Sequence, residues 1–368
     1  MLRPARARPR SSRVGRFGPR SLTARLLAVT LIPMAGLQLF ALREVDRQRK
    51  VASSADIAAE QMVILQRAGT VIVPLYFEHT ATLGIGRAEA LGLDRELVAD
   101  VIGVDFITIL TESRAELDEG LAALRAVAGD TVLATGETFD DALTTALEQL
   151  ERVRSEFDGR RLDPDTVDGA FSALIDTLSE LQATADRSLD STAATPGLIL
   201  IDRRVDHLHS ALRHATLELR YLAEAGTLGS VNAPVMEMVM EAGAFDAAIH
   251  DFPEHLTAEC LAELNEMLAG DSFADVARYR PDFVVRLVAA DGGPVDVVAD
   301  ADTVQAIVNL LLASFDRLRD LQVFADDLLE EAVGDARRIA DDAQGAHHLA
   351  LAVVVAAVAT AFVLIAFG

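Results

Sequence analysis

Residues 205–222, VDHLHSALRHATLELRYL, predict one helix of an all-α protein. Their apolar members recur at steps of three and four, as on the buried face of an α-helix. These members are Val205, Leu208, Leu212, Ala215, Leu219 and Leu222. A helix with such a face is stable mainly through packing against other apolar surfaces. We therefore expect this stretch to belong to a helical bundle.

Spacing of the same kind covers most of the chain between residues 44 and 346. One pattern consists of Ala58, Met62, Leu65, Gly69, Ile72 and Tyr76. Pro74 is expected to bend or end that helix, because proline cannot donate the backbone hydrogen bond. Further helical patterns extend over residues 87–127, 139–157, 165–188, 235–252 and 257–268, and a last one starts at Thr303.

Short breaks separate these helices. Asp163-Pro164 combines a capping residue with proline at the first helical position, which is a helix-start signal. Residues 291–294 predict a loop, and residues 295–298 form the only segment with strand character. Long helices joined by short loops predict up-down bundles. The breaker at residues 194–197 predicts two of them, residues 44–191 and 197–346.

Two apolar runs flank this helical region. Residues 349–368 read LALAVVVAAVATAFVLIAFG and carry no charge. At about 1.5 Å per residue, such a helix crosses a hydrocarbon core of about 30 Å. A second uncharged run occupies residues 26–42. We predict transmembrane helices at residues 26–43 and 347–368, with the bundles between them.

The distribution of charge predicts the orientation in the cell membrane. Eight arginines and no acidic residue precede residue 26. By the positive-inside rule, the Arg-rich tail of residues 1–25 stays in the cytoplasm, so residues 44–346 are extracytoplasmic. The alternative for the first run is a cleaved signal peptide, although its best small-residue site, Leu39-Phe40-Ala41, matches the A-x-A pattern poorly.

The region between the two runs is strongly acidic. All 57 Asp and Glu residues lie between Glu44 and Asp342, and the whole chain has a formal net charge of -24. An acidic surface repels the phosphate backbone, so we expect no nucleic-acid partner. The expected partners are the lipid bilayer, a small anion, and a second copy of the chain in a homodimer.

No motif in the sequence predicts catalysis. P-loop, dinucleotide-binding, nucleophile-elbow and zinc-protease patterns are absent. His250 and His255 flank a short turn without a third ligand nearby, so we expect neither a metal nor another cofactor. The single cysteine, Cys260, has no partner for an internal disulfide. We predict that the chain is not an enzyme.

Arg67 is the first candidate for ligand binding. It is the only charge in residues 62–77, MVILQRAGTVIVPLYF. If it is buried, it needs an anionic partner, and its planar guanidinium suits a planar anion. The alternatives are a carboxylate from a neighbouring helix or a side chain that reaches the surface. Arg213 and Arg220, seven residues apart on one helical face, are further candidates.

Four segments occur in an order typical of one kind of bacterial sensor. They are Leu65-Gln66-Arg67 in the first long helix, ATLELRYLAEAGTL at residues 215–228, AFDAAIHDF at 244–252 and LAELNEML at 261–268. This order resembles the all-helical nitrate- and nitrite-sensing (NIT) type of domain over most of residues 44–346. The resemblance implies an input domain for outputs such as histidine kinases, diguanylate cyclases or chemoreceptors, and it implies Arg67 and Arg220 as anion ligands.

We therefore predict the input region of a membrane-bound sensory receptor. It would bind a small ligand, such as nitrate, nitrite or another small anion, and signal to an output module after Gly368 or on a separate chain. The proline-free segment from Thr303 into the second span would transmit the signal. The alternative is a membrane-anchored acidic helical spacer that binds a partner without signalling.

Overall fold

The protein is all-α, as the sequence predicts. The computed structural model describes residues 19–90, 95, 106–192, 195–228, 232–289 and 301–367, and this part contains nine α-helices and no strand. The helices are α1 (Pro19–Ala90), α2 (Phe106–Ala128), α3 (Phe139–Asp158), α4 (Pro164–Thr192), α5 (Pro196–Leu228), α6 (Asn232–Asp251), α7 (Ala258–Leu268), α8 (Asp271–Ala289) and α9 (Ala301–Phe367), with a 3₁₀-helix at Phe252–His255. The predicted strand-like segment and the loop before it lie outside the described residues.

Ser53–Ala340 form one compact unit, and α5 lies in its core. All six seam residues of α5 are buried, with exposures between 0% and 7%. A smaller apolar cluster around Phe283 and Leu310 joins α8 to α5, α6 and α9. The break between α4 and α5 falls where the sequence predicts it, whereas the division into two bundles stays a prediction.

Helix α1 differs from the sequence-based prediction at Pro74. It continues through this proline to Ala90, so the expectation that the helix ends there is wrong. The residues that follow Pro74 are buried: Leu75, Tyr76, Phe77 and Glu78. Their packing outweighs the local cost of proline inside a helix, which is about 3 kcal/mol.

Side chains and one glycine define several helix boundaries. The Thr138 hydroxyl accepts a hydrogen bond of 3.2 Å from the Asp141 N–H at the start of α3, and Thr257 caps α7 in the same way. Before α3 the chain turns at Gly136, whose φ of 90° favours glycine.

Met1–Ala52 and Asp341–Gly368 form a second unit, whose described part is the start of α1 and the end of α9. The Nδ1 atom of His347 lies 3.2 Å from the Val45 carbonyl oxygen, and the exposed Lys50 pairs with Asp46 at 2.8 Å. Both helices expose large apolar side chains: Val29, Ile32, Leu37, Leu39, Phe40, Leu42, Leu349, Leu351, Val353, Val355 and Val358.

One membrane-crossing candidate is found among the described residues. The helix over Gln305–Thr360 contains a stretch that is long and apolar enough to span a bilayer, and little of this stretch is buried. The second predicted span, the orientation and the domain bounds stay predictions.

Candidate functional site

A buried carboxylate on α5 bridges two arginines from different helices. Glu218 is 1% exposed. Its Oε1 lies 2.7 Å from Nη2 of Arg280 on α8 in an ion pair, and its Oε2 accepts a hydrogen bond of 2.6 Å from Nη2 of Arg317 on α9. The guanidinium carbon of Arg317 lies 4.9 Å from the ring centre of Phe245 on α6. We call Glu218, Arg280 and Arg317 the Glu218 cluster; it ties three helices together.

The Glu218 cluster contains buried donors without an acceptor. The Nε atoms of Arg280 and Arg317 are both inaccessible to solvent, and neither has a hydrogen-bond partner among the described residues. The hydroxyl of Ser314, one helical turn before Arg317 on α9, is also buried and unpartnered. Buried polar groups are normally paired, because an unpaired one costs about 1–3 kcal/mol. Three such groups, two of them in the cluster and one beside it, lack a hydrogen-bond partner among the described residues.

The Glu218 cluster also lacks negative charge. Within the described residues, Glu218 is the only carboxylate that forms an ion pair with either arginine. Burial lowers the pKa of Arg317 below its ordinary value; the charge of Glu218 and its hydrogen bond oppose this, and the nearby charge of Arg280 adds to it. A fully buried arginine needs a matched anion. One further negative charge would balance the cluster.

A second buried glutamate shows what a balanced cluster looks like. Glu78 on α1 is 0% exposed and accepts two hydrogen bonds from Arg154 on α3, of 2.8 and 2.7 Å, and one of 2.9 Å from Arg114 on α2. Arg154 also pairs with Asp118 and Glu151, and Arg114 with Asp158. One nitrogen, Nη2 of Arg114, is buried without a partner. We call Glu78, Arg114 and Arg154 the Glu78 cluster.

The two clusters differ in their charge balance. Burial alone would lower the pKa of Arg154, but Glu78 and Asp118 raise it above its ordinary value. The pKa of Arg317 moves in the opposite direction. Arg154 is therefore surrounded by enough carboxylates, whereas Arg317 is not. The Glu78 cluster has the character of a structural ion-pair network, and the Glu218 cluster that of an anion site.

One cavity of the compact unit does not match this chemistry. It is an open groove of about 1070 Å³ between α1, the end of α2 and Arg337 of α9. Its charged lining consists of Asp56, Glu60, Asp130, Asp140, Arg125 and Arg337. Arg125 and Asp140 pair with each other, which leaves more acid than base. The groove therefore lacks the positive charge that an anion site needs.

Arg67 lies on the outside of α1. Its side chain is exposed, so of the alternatives drawn from the sequence the structure shows a side chain that reaches the surface, and the hypothesis that Arg67 lies inside the bundle is wrong. The buried face of α1 at this level consists of Met62, Leu65 and Ala68, and Arg67 points away from that face. Burial raises the pKa of Asp326 on α9 to about 6, the charge of Asp327 adds to this shift, and the charge of Arg67 opposes it, so Arg67 acts in this structure as a partner for a carboxylate.

The other two predicted ligands lie on α5. Arg213 is exposed, and Arg220 is half-buried, two residues after Glu218. Arg220 has interactions of its own within the protein. The binding role of Arg67, Arg213 and Arg220 stays a prediction.

Sequence reasoning missed all three members of the Glu218 cluster, although two of them leave a signal. Glu218 stands three residues after Ala215 and four before Leu222, so it shares the face of a buried seam. Arg317 stands three residues after Ser314 and four before Leu321 on α9, and all three residues are buried. A charged residue at a seam position is the pattern that could have indicated the site. Arg280 has no comparable signal.

No group of three or more potential metal ligands occurs in the described part of the chain. His207 and His255 stack with ring centres 4.9 Å apart, and His79 lies 2.8 Å from Asp168. These pairs have too few ligands for a closed metal site.

Comparisons with known proteins agree with an all-helical sensor domain. The family model described as nitrate and nitrite sensing (NIT) matches residues 88–331, about two thirds of the chain. The solved structure of the NasR transcription antiterminator is similar, with a TM-score of 0.49 and 14% identity, over 91% of this chain and 84% of that one. No curated protein matches.

The family match identifies the class as a sensor domain rather than an enzyme, in agreement with the sequence-based prediction. The chain belongs to the nitrate and nitrite sensing (NIT) family.

Proposed function

We propose that the chain is the input region of a membrane receptor and that it binds a small anion, such as nitrate or nitrite, at the Glu218 cluster. The observation that carries the proposal is the pair of buried, unpartnered Nε–H groups on Arg280 and Arg317, which share a single carboxylate. Preorganised guanidinium donors in a dry site bind small planar anions well. Membership of the NIT family supports this class of ligand.

The exposed apolar side chains of the second unit support membrane attachment. Both its helices present leucine, valine or isoleucine to the outside, such as Ile32, Leu39 and Leu349, each more than 60% exposed. Exposed apolar surface of this extent is unfavourable in water and favourable in lipid. Two spans with a cytoplasmic N-terminus and an extracytoplasmic sensor remain part of the proposal.

Helix α9 supports a route for the signal. It is one helix from Ala301 to Phe367, and it carries Ser314 and Arg317 as well as the apolar segment near its end. A ligand at Arg317 would act directly on this helix, and a shift or rotation of a continuous helix moves its far end too.

The test is anion-dependent stabilisation of the full-length protein in detergent. A ligand present at about a hundredfold excess over its Kd stabilises the folded state by about 2.7 kcal/mol. We expect nitrate to raise the melting temperature of the wild type, and Arg317→Gln or Arg280→Gln to lose that response. Arg154→Gln is the matched control, since it also removes a buried arginine bound to a buried glutamate: it should melt earlier but keep the response.

Two results would contradict the proposal. A folded Arg317→Gln protein with an undiminished nitrate response would place binding elsewhere, and the same titration on Arg67→Ala, Arg213→Ala and Arg220→Ala would then test the ligands proposed from the sequence. A wild type indifferent to nitrate, nitrite and small carboxylates would favour the alternative of an acidic helical spacer.

A further inference from the structure

The Glu218 cluster already contains one anion, the carboxylate of Glu218 itself. Two guanidinium groups and one carboxylate leave the cluster with one net positive charge, in surroundings where Glu218 and Arg317 are 1% and 2% exposed. The charge of an incoming ligand is poorly screened at such a site. The fixed charge of the cluster therefore bears directly on which anions fit.

We propose that Glu218 sets the charge selectivity of the site, so that it accepts monovalent anions and rejects divalent ones; this inference rests on the proposed function. A monovalent anion brings the buried cluster to neutrality. A divalent anion such as sulfate leaves a net negative charge in a dry environment, which is strongly unfavourable.

The hydrogen bonds favour the same ligands. Glu218 pairs with the Nη2 atom of each arginine. The two buried Nε–H groups are left as donors for a ligand, with the Ser314 hydroxyl nearby. Few free donors suit an anion with few acceptor oxygens and a spread charge. Sulfate, with four oxygens and two charges, requires more donors to replace the hydrogen bonds that it makes with water. Glu218 thus limits both the charge and the number of hydrogen bonds that a ligand can have.

The experiment compares nitrate with sulfate on the full-length protein, by calorimetric titration at constant ionic strength in a bulky organic buffer salt. The wild type should bind nitrate and not sulfate. Glu218→Gln keeps the shape of the side chain and removes its charge, so the preference for nitrate over sulfate should fall by about tenfold or more. Glu218→Asp keeps the charge and should keep the preference, with weaker binding of nitrate.

Glu78→Gln is the matched control, because it neutralises the other buried glutamate that bridges two arginines. It should lower the melting temperature and leave the nitrate preference unchanged.

The outcomes separate this inference from the proposed function. Nitrate binding that is lost in Arg317→Gln, together with an unchanged preference in Glu218→Gln, would overturn the role of Glu218 and leave the anion site standing. If Glu218→Gln does not fold, Glu218→Asp decides: a retained preference for nitrate supports the inference, and a lost one overturns it. Equal binding of sulfate and nitrate by the wild type would also overturn it.

Discussion

The thiol of Cys260 on α7 donates a hydrogen bond to the carboxylate of Glu331 on α9, with Sγ and Oε2 2.6 Å apart. Cys260 is 4% exposed. Arg204 on α5 lies 3.6 Å from the other oxygen of Glu331 and donates a hydrogen bond to the His255 carbonyl oxygen. The cysteine is therefore one member of a polar contact that holds α7 and the 3₁₀-helix against α5 and α9.

We predict that Cys260 is unreactive in the folded protein. Burial, followed by the hydrogen bond to Glu331, raises the pKa of its thiol to about 11. Because the thiolate is the reactive form, labelling by a maleimide at neutral pH should be about a hundredfold slower or more than in denaturant. Mass spectrometry of the labelled protein measures this ratio. Comparable rates in the two states would mean that α7 opens readily.

The Glu78 cluster should contribute strongly to stability. Arg154→Leu leaves the buried Glu78 with Arg114 alone, and we expect a loss of about 3 kcal/mol or more, seen as earlier thermal melting by circular dichroism. The double variant Glu78→Leu with Arg154→Leu removes both buried charges, while Arg114 keeps Asp158 as a partner. It should recover much of the loss. A double variant less stable than Arg154→Leu would contradict this account.

Asp326 on α9 should make stability depend on pH. Burial, followed by the charge of Asp327, raises its pKa to about 6, and Arg67 opposes the shift. The folded pKa exceeds the unfolded value of about 3.9, so the folded state gains stability as the pH falls from about 7 toward 4. Asp326→Asn should therefore raise the free energy of unfolding at pH 7.5 by about 1 kcal/mol after solvent screening. This gain should be seen as a higher melting temperature.

The gain from Asp326→Asn should vanish near pH 4, where the native carboxyl is already protonated. Glu330→Gln, an exposed acid on the same helix, is the control and should give no such pH-dependent difference. A gain that is constant between pH 4 and pH 7.5 would assign the effect to something other than titration of Asp326.

The predicted topology is tested with fusions to alkaline phosphatase, which is active only outside the cytoplasm. By the positive-inside rule, a fusion after Ala193 should be active and one after Gly18 inactive. The Arg-rich start of the chain motivates this expectation. The reverse pattern of activities would refute the receptor model.

Most of the helices were predictable from the sequence because they repeat a local pattern, whereas α8 (Asp271–Ala289) was not among the predicted helices. The seam of α5 and the unbroken run of α9 follow directly from the spacing of apolar residues. Pro74 misled the prediction, since its local cost is outweighed by the packing of the buried residues Leu75 and Phe77. The ring of Phe77 lies 4.9 Å from that of Phe315 on α9, which is distant in sequence. Local propensity does not contain that contribution.

The candidate site was less predictable because it depends on contacts between helices distant in sequence. Glu218 and Arg317 are 99 residues apart, and their pairing follows from tertiary packing alone. Arg67 was selected because its neighbours in sequence are apolar, yet it occupies the one helical position among them that points outward. An apolar neighbourhood in the chain does not specify the direction of a side chain on a helix.

The exposed Lys50 on α1 offers a practical handle. It is the only lysine in the chain, and its side chain is 74% accessible beside Asp46. Amine-directed dyes can therefore react with a single side chain, apart from the terminal amino group, whose lower pKa lets the two be distinguished by pH. A fluorophore or spin probe at this position needs no mutagenesis, so distances from α1 are measurable in the native protein.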